Sequence, residues 1–587
     1  MTAFLGVESS LTGRAWTGPD PEIQRRAEAL AQDTGLPLAV TAILARRGVP
    51  APEARAFLAP TLRDTLPDPR GLRDMEKAAA RLLKALDTGE RIAVFADYDV
   101  DGAASAALVI DWLRHFGHPA TLYVPDRITE GYGPNVPAME RLARDHSLIL
   151  TVDCGTMSHD AIAAANAAGA EVVVIDHHLG GETLPPALAV VNPNRQDETD
   201  AAPGYMCAAG VVFLLLVEAR RQLREAGRTG RAAGPDLMAA LDLVALATVA
   251  DVAPLIAANR ALVVQGLKVM AGRARPGLTA LSDVARLNEA PRAYHLGYVL
   301  GPRINAGGRV GRADLGARLL STTDPHEAAA LAARLDELNT ERRAIEADMQ
   351  EVALDQATRR GLDAPLVWAA GDGWHPGIVG IVASRLKEAA DRPALVIGFD
   401  GDAGRGSARS ISGVDLGSAV QRLVREGLIT AGGGHKMAAG LSLTRAQLDP
   451  AMARLTELLA RQGAGSGGRR ALRLDTLLMP GAATPELIAR IEAAGPFGAS
   501  APGPRFAFPD VTIGFARRVG ANHLKLRFSD GIGAHLDAIA FSAFDTPLGA
   551  ALENHGGARF HLAGRLELNT WQGVTRAQLR LDDAAPV

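Results

Sequence analysis

The sequence has few cysteines, few aromatic residues and no long apolar run. Cys154 and Cys207 are the only two cysteines in 587 residues, too few for a disulfide framework. Because both lie in apolar segments rich in Gly and Ala, we expect two small buried side chains rather than a redox pair. No apolar stretch reaches the roughly 20 residues that cross a bilayer, and the first residues lack the pattern of a secretory signal. We therefore expect a protein of the reducing cytoplasm that does not contact a membrane.

The chain also lacks an excess of basic residues. Its formal net charge is −4, whereas a strongly basic chain is the usual electrostatic mark of nucleic-acid binding. A carboxylate-rich metal site would lower the total and still leave a local basic channel. The 48% hydrophobic and 22% charged residues are ordinary for a globular protein, and the length predicts three or four domains.

The pattern along the chain predicts five segments. From Arg91 onward, short β-branched runs alternate with helical stretches, which is typical of βαβ units and a mostly parallel sheet. A stretch without internal Gly or Pro then predicts one long helix, about 50 Å in length, which either links two domains or packs on one of them. The segments are a helical extension (1–60), an α/β domain (61–323), the connecting helix (324–360), a second α/β domain (361–462) and an OB-like β barrel (470–587). The segment GAGSGGRR before the barrel is predicted to be a flexible linker.

The first apolar run ends in the acidic segment DYDVDG. If this segment is extended, alternation sends Asp97, Asp99 and Asp101 to the same side. Three carboxylates placed in this way repel one another unless a cation neutralises them. A solvated acidic turn that caps the next helix is the alternative for this motif alone.

Three further acidic positions follow apolar runs. Asp153 ends SLILTVD, Asp176 precedes two histidines in EVVVIDHH, and Asp251 ends LVALATVAD. Each of them alone fits a turn or a cap, but ligands in open parallel sheets gather at the carboxyl ends of the strands. Carboxylates with imidazole and no thiolate suit Mn²⁺ or Mg²⁺. Four convergent strand ends therefore predict two divalent ions that support phosphoryl displacement.

These motifs resemble a known family. The segments DYDVDG, TVDCG, IDHH and TVADVAPL are similar to the four successive motifs of the DHH phosphodiesterases, and WHPGIVGIVASRL, GSARSISG and GGGHKMAAG to the domain that accompanies them. With PRINAGGRVG and a C-terminal β domain, the layout is most similar to the bacterial members that degrade single strands from the 5′ end. The resemblance covers the chain from about residue 40 to its end.

The resemblance implies a set of site residues by position. Asp99 and Asp153 are the candidates to bridge the ions, and His178 either contacts the scissile phosphate or orients a ligand. The implied catalytic residues are Asp99, Asp153, His177 and His178. The implied metal ligands are Asp97, Asp99, Asp101, Asp153, His177 and Asp251. The implied substrate contacts are Arg127, Arg303, Asn305, Arg309, Arg385, Ser407, Arg409 and His435.

The Ser407–Arg409 pair resembles a pocket for a 5′-terminal phosphate, because hydroxyl, guanidinium and backbone N–H groups can meet phosphate oxygens together. Any single arginine of the set could instead be an ordinary surface charge. The predicted barrel adds candidate contacts at His523, Lys525, Arg527, Phe528 and Trp571. We expect the barrel to bind through phosphates more than by stacking, since phenylalanines at strand spacing are more often core residues.

The sequence departs from the family pattern at three places. Phe95 stands where many relatives have a metal-binding His, so Asp97 is expected to take that role. Arg343 stands where a Gln is common, which makes a DNA contact at that position doubtful. PFGASAPGPRF differs from the usual PFGxGNPEPxF at the entry to the barrel.

The implied function is a 5′→3′ exonuclease that hydrolyses single-stranded DNA to 5′-mononucleotides with two Mn²⁺ or Mg²⁺ ions, in DNA repair and recombination. The implied partners are a single-strand DNA-binding protein and a helicase, and we expect a monomer. An alternative is a DHH enzyme for short oligonucleotides or cyclic dinucleotides, although such relatives usually lack a C-terminal barrel. A catalytically inactive DNA-binding scaffold would have lost ligands, and a dinucleotide-binding fold would need a G-x-G-x-x-G after the first clear strand.

Overall fold

The computed structural model describes residues 3–199, 202–465, 471–571 and 573–587, without the side chain of Trp571. The chain forms two compact units. One unit contains Met1–Leu66, Leu255–Ala261 and Gly468–Val587, and the other contains Pro67–Pro254 and Leu262–Gly467. In the described residues, no helix is both long and apolar enough to span a membrane.

The N-terminal segment begins with a short strand that the sequence did not predict. Strand β1 (Ala15–Thr17) is followed by helices α1 (Pro21–Thr34), α2 (Leu38–Arg46), α3 (Ala54–Leu58) and α4 (Leu62–Thr65). Asp20 caps α1 by accepting from the backbone N–H of Glu22, as N-cap carboxylates do. The expectation of a purely helical extension over 1–60 is therefore wrong at β1.

The larger unit contains a five-stranded parallel sheet, as predicted. Its strands are β2 (Ile92–Ala96), β3 (Ala120–Tyr123), β4 (Leu148–Val152), β5 (Glu171–Ile175) and β6 (Ala189–Val191), in the order β3-β2-β4-β5-β6. Every residue of β2 and β4 is buried, which is why these strands are continuous apolar runs rather than alternating ones. The connecting helices are α5 (Met75–Thr88), α6 (Val100–His115), α7 (Val136–Ala143) and α8 (His159–Ala167).

A helical region follows the sheet. Its helices are α9 (Ala208–Glu225), α10 (Leu241–Ala250), α11 (Ala257–Ala271), α12 (Pro276–Val284), α13 (Ala293–His295), α14 (Gly301–Val310) and α15 (Leu315–Ser321). The predicted long helix is α16 (Pro325–Arg360), with Asp324 as its N-cap. At 1.5 Å per residue its 36 residues extend about 54 Å.

The second α/β region of this unit is a five-stranded mixed sheet. Its strands are β7 (Val367–Asp372), β8 (Ala394–Asp400), β9 (Ala403–Arg409), β10 (Ala431–His435) and β11 (Ala438–Thr444), in the order β10-β11-β9-β8-β7. Only β7 and β8 pair in parallel. The accompanying helices are α17 (Val379–Ala390), α18 (Leu416–Arg425) and α19 (Leu448–Arg461). The predicted linker GAGSGGRR falls partly on 466–470, outside the described residues.

The C-terminal part of the smaller unit is a closed barrel, which confirms the OB-like prediction. After β12 (Ala471–Arg473), β13 (Thr476–Leu477) and α20 (Pro485–Ala493) come the barrel strands and one helix among them: β14 (Phe506–Val519), β15 (His523–Ser529), β16 (His535–Ala540), α21 (Pro547–Glu553), β17 (Arg559–Trp571) and β18 (Val574–Pro586). The pairing runs β14-β15-β16-β18-β17, and β17 returns to β14. The five strands therefore form a barrel without a free edge.

The N-terminal helices and the barrel share one hydrophobic core. Ala39, Val40 and Ile43 of α2 are buried in a cluster that includes Phe506 and Phe528 of the barrel. Strand β1 pairs in parallel with β12, and Trp16 donates from Nε1 to a carboxylate oxygen of Asp583 at 3.0 Å. The two ends of the chain therefore fold as one body.

Candidate active site

The acidic segment after β2 does not remain extended. The strand ends at Ala96, Asp99 becomes the N-cap of α6, and Asp101 lies in the first turn of that helix. One carboxylate oxygen of Asp99 accepts from the backbone N–H groups of Asp101 and Gly102 at 2.8 and 3.1 Å. The predicted alternation of the three aspartates is therefore wrong, and a helix start brings them together instead. A Cβ on Gly102 would lie 2.3 Å from the carbonyl oxygen of Asp97, so this close turn requires a glycine.

Asp101 is held by the start of a second helix. Its two carboxylate oxygens accept from the backbone N–H groups of Ala208 and Ala209 in α9, each at 2.7 Å. A helix N-terminus stabilises a carboxylate in this way. Asp101 is buried, and its oxygen Oδ2 lies 3.7 Å from Nε2 of His177.

The other predicted ligands converge on the same imidazole. His177 Nε2 lies 3.3 Å from a carboxylate oxygen of Asp153 and 3.9 Å from one of Asp251. Asp153 follows β4 in a left-handed conformation with φ of 61°, a strained conformation of the kind that gathers at functional sites. Asp251 is the C-cap of α10, so the expectation that it follows a strand is wrong, although its position in the cluster agrees with the prediction.

The donor set fits divalent cations. Three overlapping groups have ligand atoms close enough to share an ion: Asp97 with Asp99 and Asp153, Asp101 with His177 and Asp251, and Asp153 with His177 and His178. One oxygen of Asp97 and one of Asp153 are buried without a hydrogen-bond partner in the described residues. A buried carboxylate oxygen without a partner is costly, and a cation would satisfy both atoms.

Burial and mutual repulsion raise the carboxyl pKa values of the cluster. The pKa of Asp251 rises to about 8, because it is buried and faces Asp101 and Asp99. Burial, and then the neighbouring carboxylates, raise the pKa values of Asp97 and Asp153 well above the usual range. These shifts are the expected state of carboxylates that are crowded without a neutralising charge.

Asp176 and Tyr132 position His178. Nδ1 of His178 lies 2.8 Å from a carboxylate oxygen of Asp176, and the same oxygen accepts from the backbone N–H of His177. The Tyr132 hydroxyl lies 3.1 Å from Nδ1 of His178 and donates to the carbonyl oxygen of Asp153. Burial lowers the pKa of His178, but the contact with Asp176 outweighs it and raises that pKa to about 9. His178 is thus a cationic side chain at the rim of the cluster, 4.0 Å from Asp153.

Sequence reasoning missed several residues that support this cluster. Asn192 donates to the carbonyl oxygen of His178, and Asn194 donates to that of His177. Both lie in NPN after β6, and polar residues at the end of a buried strand were the available signal. Tyr132 had no such signal, since it lies in a loop without periodicity.

Three of the predicted arginines, Arg127, Arg309 and Arg409, form a cationic cluster together with Arg342, which also pairs with Glu346. The guanidinium of Arg127 lies 4.8 Å from the centre of the Tyr98 ring, and Arg309 donates to the carbonyl oxygen of Gly377 at 2.7 Å. Burial, and then Arg127 and Arg342, lower the pKa of Arg309 to about 10. Burial and Arg127 also lower the pKa of Arg409. In the described residues no carboxylate pairs with Arg127, Arg309 or Arg409, so this cluster favours an anion.

Ser407 and Arg409 lie beside the first turn of α17. Arg409 donates to the hydroxyl of Ser407 at 2.9 Å. A Cβ on Gly380 would lie 2.9 Å from that hydroxyl and 3.0 Å from a guanidinium nitrogen of Arg409, so glycine keeps the space beside both groups open. Hydroxyl, guanidinium and a helix N-terminus together are the donors that a phosphate prefers.

The remaining predicted contacts have other partners. Asn305 accepts from the backbone N–H of Val100, Arg303 pairs with Asp336, and Arg385 pairs with Glu346 and Glu388. His435 is exposed at the end of β10, the edge strand of its sheet. Arg343, a doubtful position in the sequence, is exposed, whereas Arg342 belongs to the cationic cluster.

One smaller sequence prediction, on the cysteines, is confirmed and one, on Phe528, is wrong. Cys154 and Cys207 are both buried and free, and Phe95 is buried against Tyr123 rather than aimed at a ligand. Phe528 was a candidate contact of the barrel but is fully buried in its core. The side chain of Trp571 lies outside the described residues.

The chain matches three family models in the order of its folded parts. Residues 91–248 match the DHH family, N-terminal domain, residues 363–461 the DHHA1 domain, and residues 474–583 the RecJ OB domain. It is 40% identical to the single-stranded-DNA-specific exonuclease RecJ of Dickeya dadantii, over 96% of this chain and 99% of that protein. The chain belongs to the RecJ family. This confirms the resemblance that the motifs predicted.

Other RecJ proteins extend the comparison to solved structures. The RecJ of Escherichia coli is 38% identical over 88% of this chain and 91% of its own. The crystal structure of Thermus thermophilus RecJ in complex with Mn²⁺ superposes with a TM-score of 0.80 at 30% identity, covering 97% of this chain and 79% of that chain. The same RecJ has also been solved in complex with Mg²⁺. The mixed α/β architecture with a terminal barrel is therefore the RecJ fold.

Proposed function

We propose that the protein is a metal-dependent exonuclease specific for single-stranded DNA. The observation that carries the proposal is the intact cluster of five aspartates and His177, in a chain that is 40% identical, over 96% of its length, to a single-stranded-DNA-specific exonuclease RecJ. Two divalent ions, Mn²⁺ or Mg²⁺, fit the donor set. When bound, such a pair activates water and stabilises charge on phosphorus.

The ligand assignment is part of the same proposal. Asp97, Asp99, Asp101, Asp153, His177 and Asp251 would hold the ions, with Asp99 and Asp153 as the ligands that the two ions would share. The presence of Asp153 in two of the three groups supports its place between the ions, whereas Asp99 is given that role by the family resemblance alone. His178 contacts the scissile phosphate, since its ring faces the cluster and is held there by Asp176 and Tyr132.

The cationic cluster gives the reaction its direction. Arg127, Arg309, Ser407 and Arg409 bind a terminal 5′-phosphate, because the three arginines have no carboxylate partner in the described residues, and Ser407 and Arg409 lie beside the start of α17. A strand held there by its 5′ end is hydrolysed from that end, with release of 5′-mononucleotides. Arg342, which the sequence did not indicate, pairs with Glu346 and adds positive charge beside this group, whereas Arg303, Asn305 and Arg385 support the elements around it.

The wider setting follows from the substrate. A 5′→3′ exonuclease for single strands acts in DNA repair and recombination, on strands separated by a helicase and covered by a single-strand DNA-binding protein. It works as a monomer in the cytoplasm, where the chromosome of a bacterium lies. The proposed domains are 61–323, 361–462 and 470–587, with the helix over 324–360 between the first two.

An end-labelled strand assay tests the proposal. The purified protein is incubated with Mn²⁺ and single strands that carry a label at either end, beside duplex DNA, RNA and dinucleotides. Progressive release of mononucleotides from the 5′ end of single-stranded DNA is expected, with loss of activity in EDTA and in Asp153→Asn. Hydrolysis of dinucleotides or RNA without hydrolysis of long DNA would instead support a short-substrate DHH enzyme.

A further inference from the structure

Two tyrosines form an exposed stacked pair on the larger unit. Tyr294 and Tyr298 are 57% and 74% exposed, and their ring centres lie 5.1 Å apart with an interplanar angle of 23°. Only 4% of the chain is aromatic, and large exposed rings are uncommon because their burial is favourable. A parallel pair in solvent therefore presents a flat aromatic surface that the fold itself does not use.

Backbone geometry holds the pair in this position. Tyr294 lies in α13, and Tyr298 lies in a π-helical turn over Leu296–Leu300 that joins α13 to α14. Leu296 and Leu300 are fully buried, which leaves Tyr298 between them pointing outward. Single π-helical turns within helices occur frequently at functional sites.

The same turn packs directly on the helix that ends at Asp251. A Cβ on Gly297 would lie 3.4 Å from a methyl group of Val249, and a Cβ on Gly301 would lie 3.3 Å from that of Ala250. Asp251 follows at the end of α10. The helix that continues from the turn carries Asn305, which holds the start of α6, and Arg309 of the cationic cluster. The aromatic pair is thus continuous with elements that carry the metal ligands and the phosphate contacts.

We infer that Tyr294 and Tyr298 are a stacking platform for bases of the single strand, an inference that rests on the proposed function. Every base has a π face, so stacking of this kind holds a strand without reading its sequence. The arginines near the pair are already neutralised and do not form a phosphate site there, since Arg292 pairs with Glu289 and Arg303 with Asp336. The platform therefore binds through ring contact rather than through phosphates.

Steady-state kinetics with the full-length protein tests the platform. We compare wild type with Tyr294→Ala/Tyr298→Ala, with Tyr294→Phe/Tyr298→Phe, which keeps both rings, and with Val352→Ala, an exposed apolar residue of α16. The substrates are 5′-phosphorylated strands of graded length and a dinucleotide, with Mn²⁺. The double alanine variant is expected to raise KM for long strands about fivefold or more, with kcat and dinucleotide hydrolysis unchanged. The phenylalanine and Val352→Ala variants should match wild type.

A spectroscopic measurement identifies the contact itself. Strands with 2-aminopurine at successive positions are bound in EDTA, and the wild type should quench fluorescence at one or two neighbouring positions, while the double alanine variant should not. Equal KM and equal quenching in both proteins would overturn the inference, as would a change of oligomeric mass in the double alanine variant with unchanged strand binding. A wild type that binds strands with quenching but cleaves none would contradict the proposed function and leave the platform supported.

Discussion

The side-chain oxygen of Asn305 accepts a hydrogen bond from the backbone N–H of Val100 at 3.0 Å. Val100 is the first residue of α6 and lies between Asp99 and Asp101. The contact therefore fixes the segment that supplies three of the carboxylates. Asn305 belongs to the site as a positioning residue.

Replacement of Asn305 should weaken the metal site. Asn305→Ala leaves the Val100 N–H without its partner, at a cost of about 1–3 kcal/mol, and loosens the turn that holds Asp99 and Asp101. We expect kcat to fall about tenfold and more Mn²⁺ to be needed for half-maximal activity. Asn288→Ala, at an exposed asparagine of the same unit, is the control. Equal Mn²⁺ titrations for Asn305→Ala and wild type would contradict the assignment.

Metal binding should release protons. The pKa of Asp251 is raised to about 8, so this carboxyl is largely protonated at pH 7 in metal-free protein, and burial raises the pKa values of Asp97 and Asp153 in the same direction. Ions bind the deprotonated forms, and apparent affinity should therefore increase as pH rises towards 8. Titration calorimetry in buffers of different ionisation enthalpy measures the number released. Asp251→Asn should release fewer protons than wild type. If the observed binding enthalpy of the wild type does not change with the ionisation enthalpy of the buffer, no protons are released and this account is ruled out.

Removal of one cation should change both affinity and end preference. Arg409→Ala takes away a donor that has no carboxylate partner in the described residues. We expect a weaker preference for 5′-phosphorylated strands over unphosphorylated ones. We also expect the slope of the logarithm of the binding constant against the logarithm of the salt concentration to become shallower by about one unit. Arg425→Ala, an exposed arginine at the end of α18, is the matched control. An unchanged ratio between phosphorylated and unphosphorylated ends would exclude Arg409 from the phosphate pocket.

The barrel should contribute through an exposed ring as well as through charge. Phe541 is 51% exposed, with the guanidinium of Arg580 5.3 Å from its ring centre and His523 against its edge. Phe541→Ala should raise KM for long strands by about fivefold or more and leave dinucleotide hydrolysis unchanged. Ile532→Ala, at a more exposed apolar residue of the same barrel, is the control. A KM for long strands equal to that of wild type would confine the barrel to phosphate contacts.

The sequence predicted the parallel sheet and the presence of an acidic cluster at its edge because both follow from local patterns. Fully buried strands such as β2 and β4 produce apolar runs, and ligands at their carboxyl ends follow directly. The way in which the acidic residues come together depends on contacts between distant parts of the chain, which local patterns do not reveal. Asp101 is held by the backbone of α9, more than 100 residues later, and Asp251 arrives on a helix, so periodicity alone placed it at the wrong kind of element.

Other residues were missed because their roles depend on tertiary contacts. Arg342 differs from Arg343 only in the side of α16 that it occupies, which composition does not reveal. Phe541 and Phe528 are the same residue type in the same barrel, but Phe541, just after β16, faces solvent and Phe528 of β15 faces the core. The stacked tyrosines depend on a π-helical turn for which the sequence has no simple signal.

The shared core of α2 and the barrel has a consequence for synthesis on the ribosome. Ile43 is translated more than 450 residues before Phe506, with which it packs in one cluster. At a translation rate of about 5–20 residues per second, the partner strands are synthesised roughly 20–90 s after α2. The apolar side of α2 is therefore synthesised long before the strands that bury it, so its burial sets a late step in the folding of this unit.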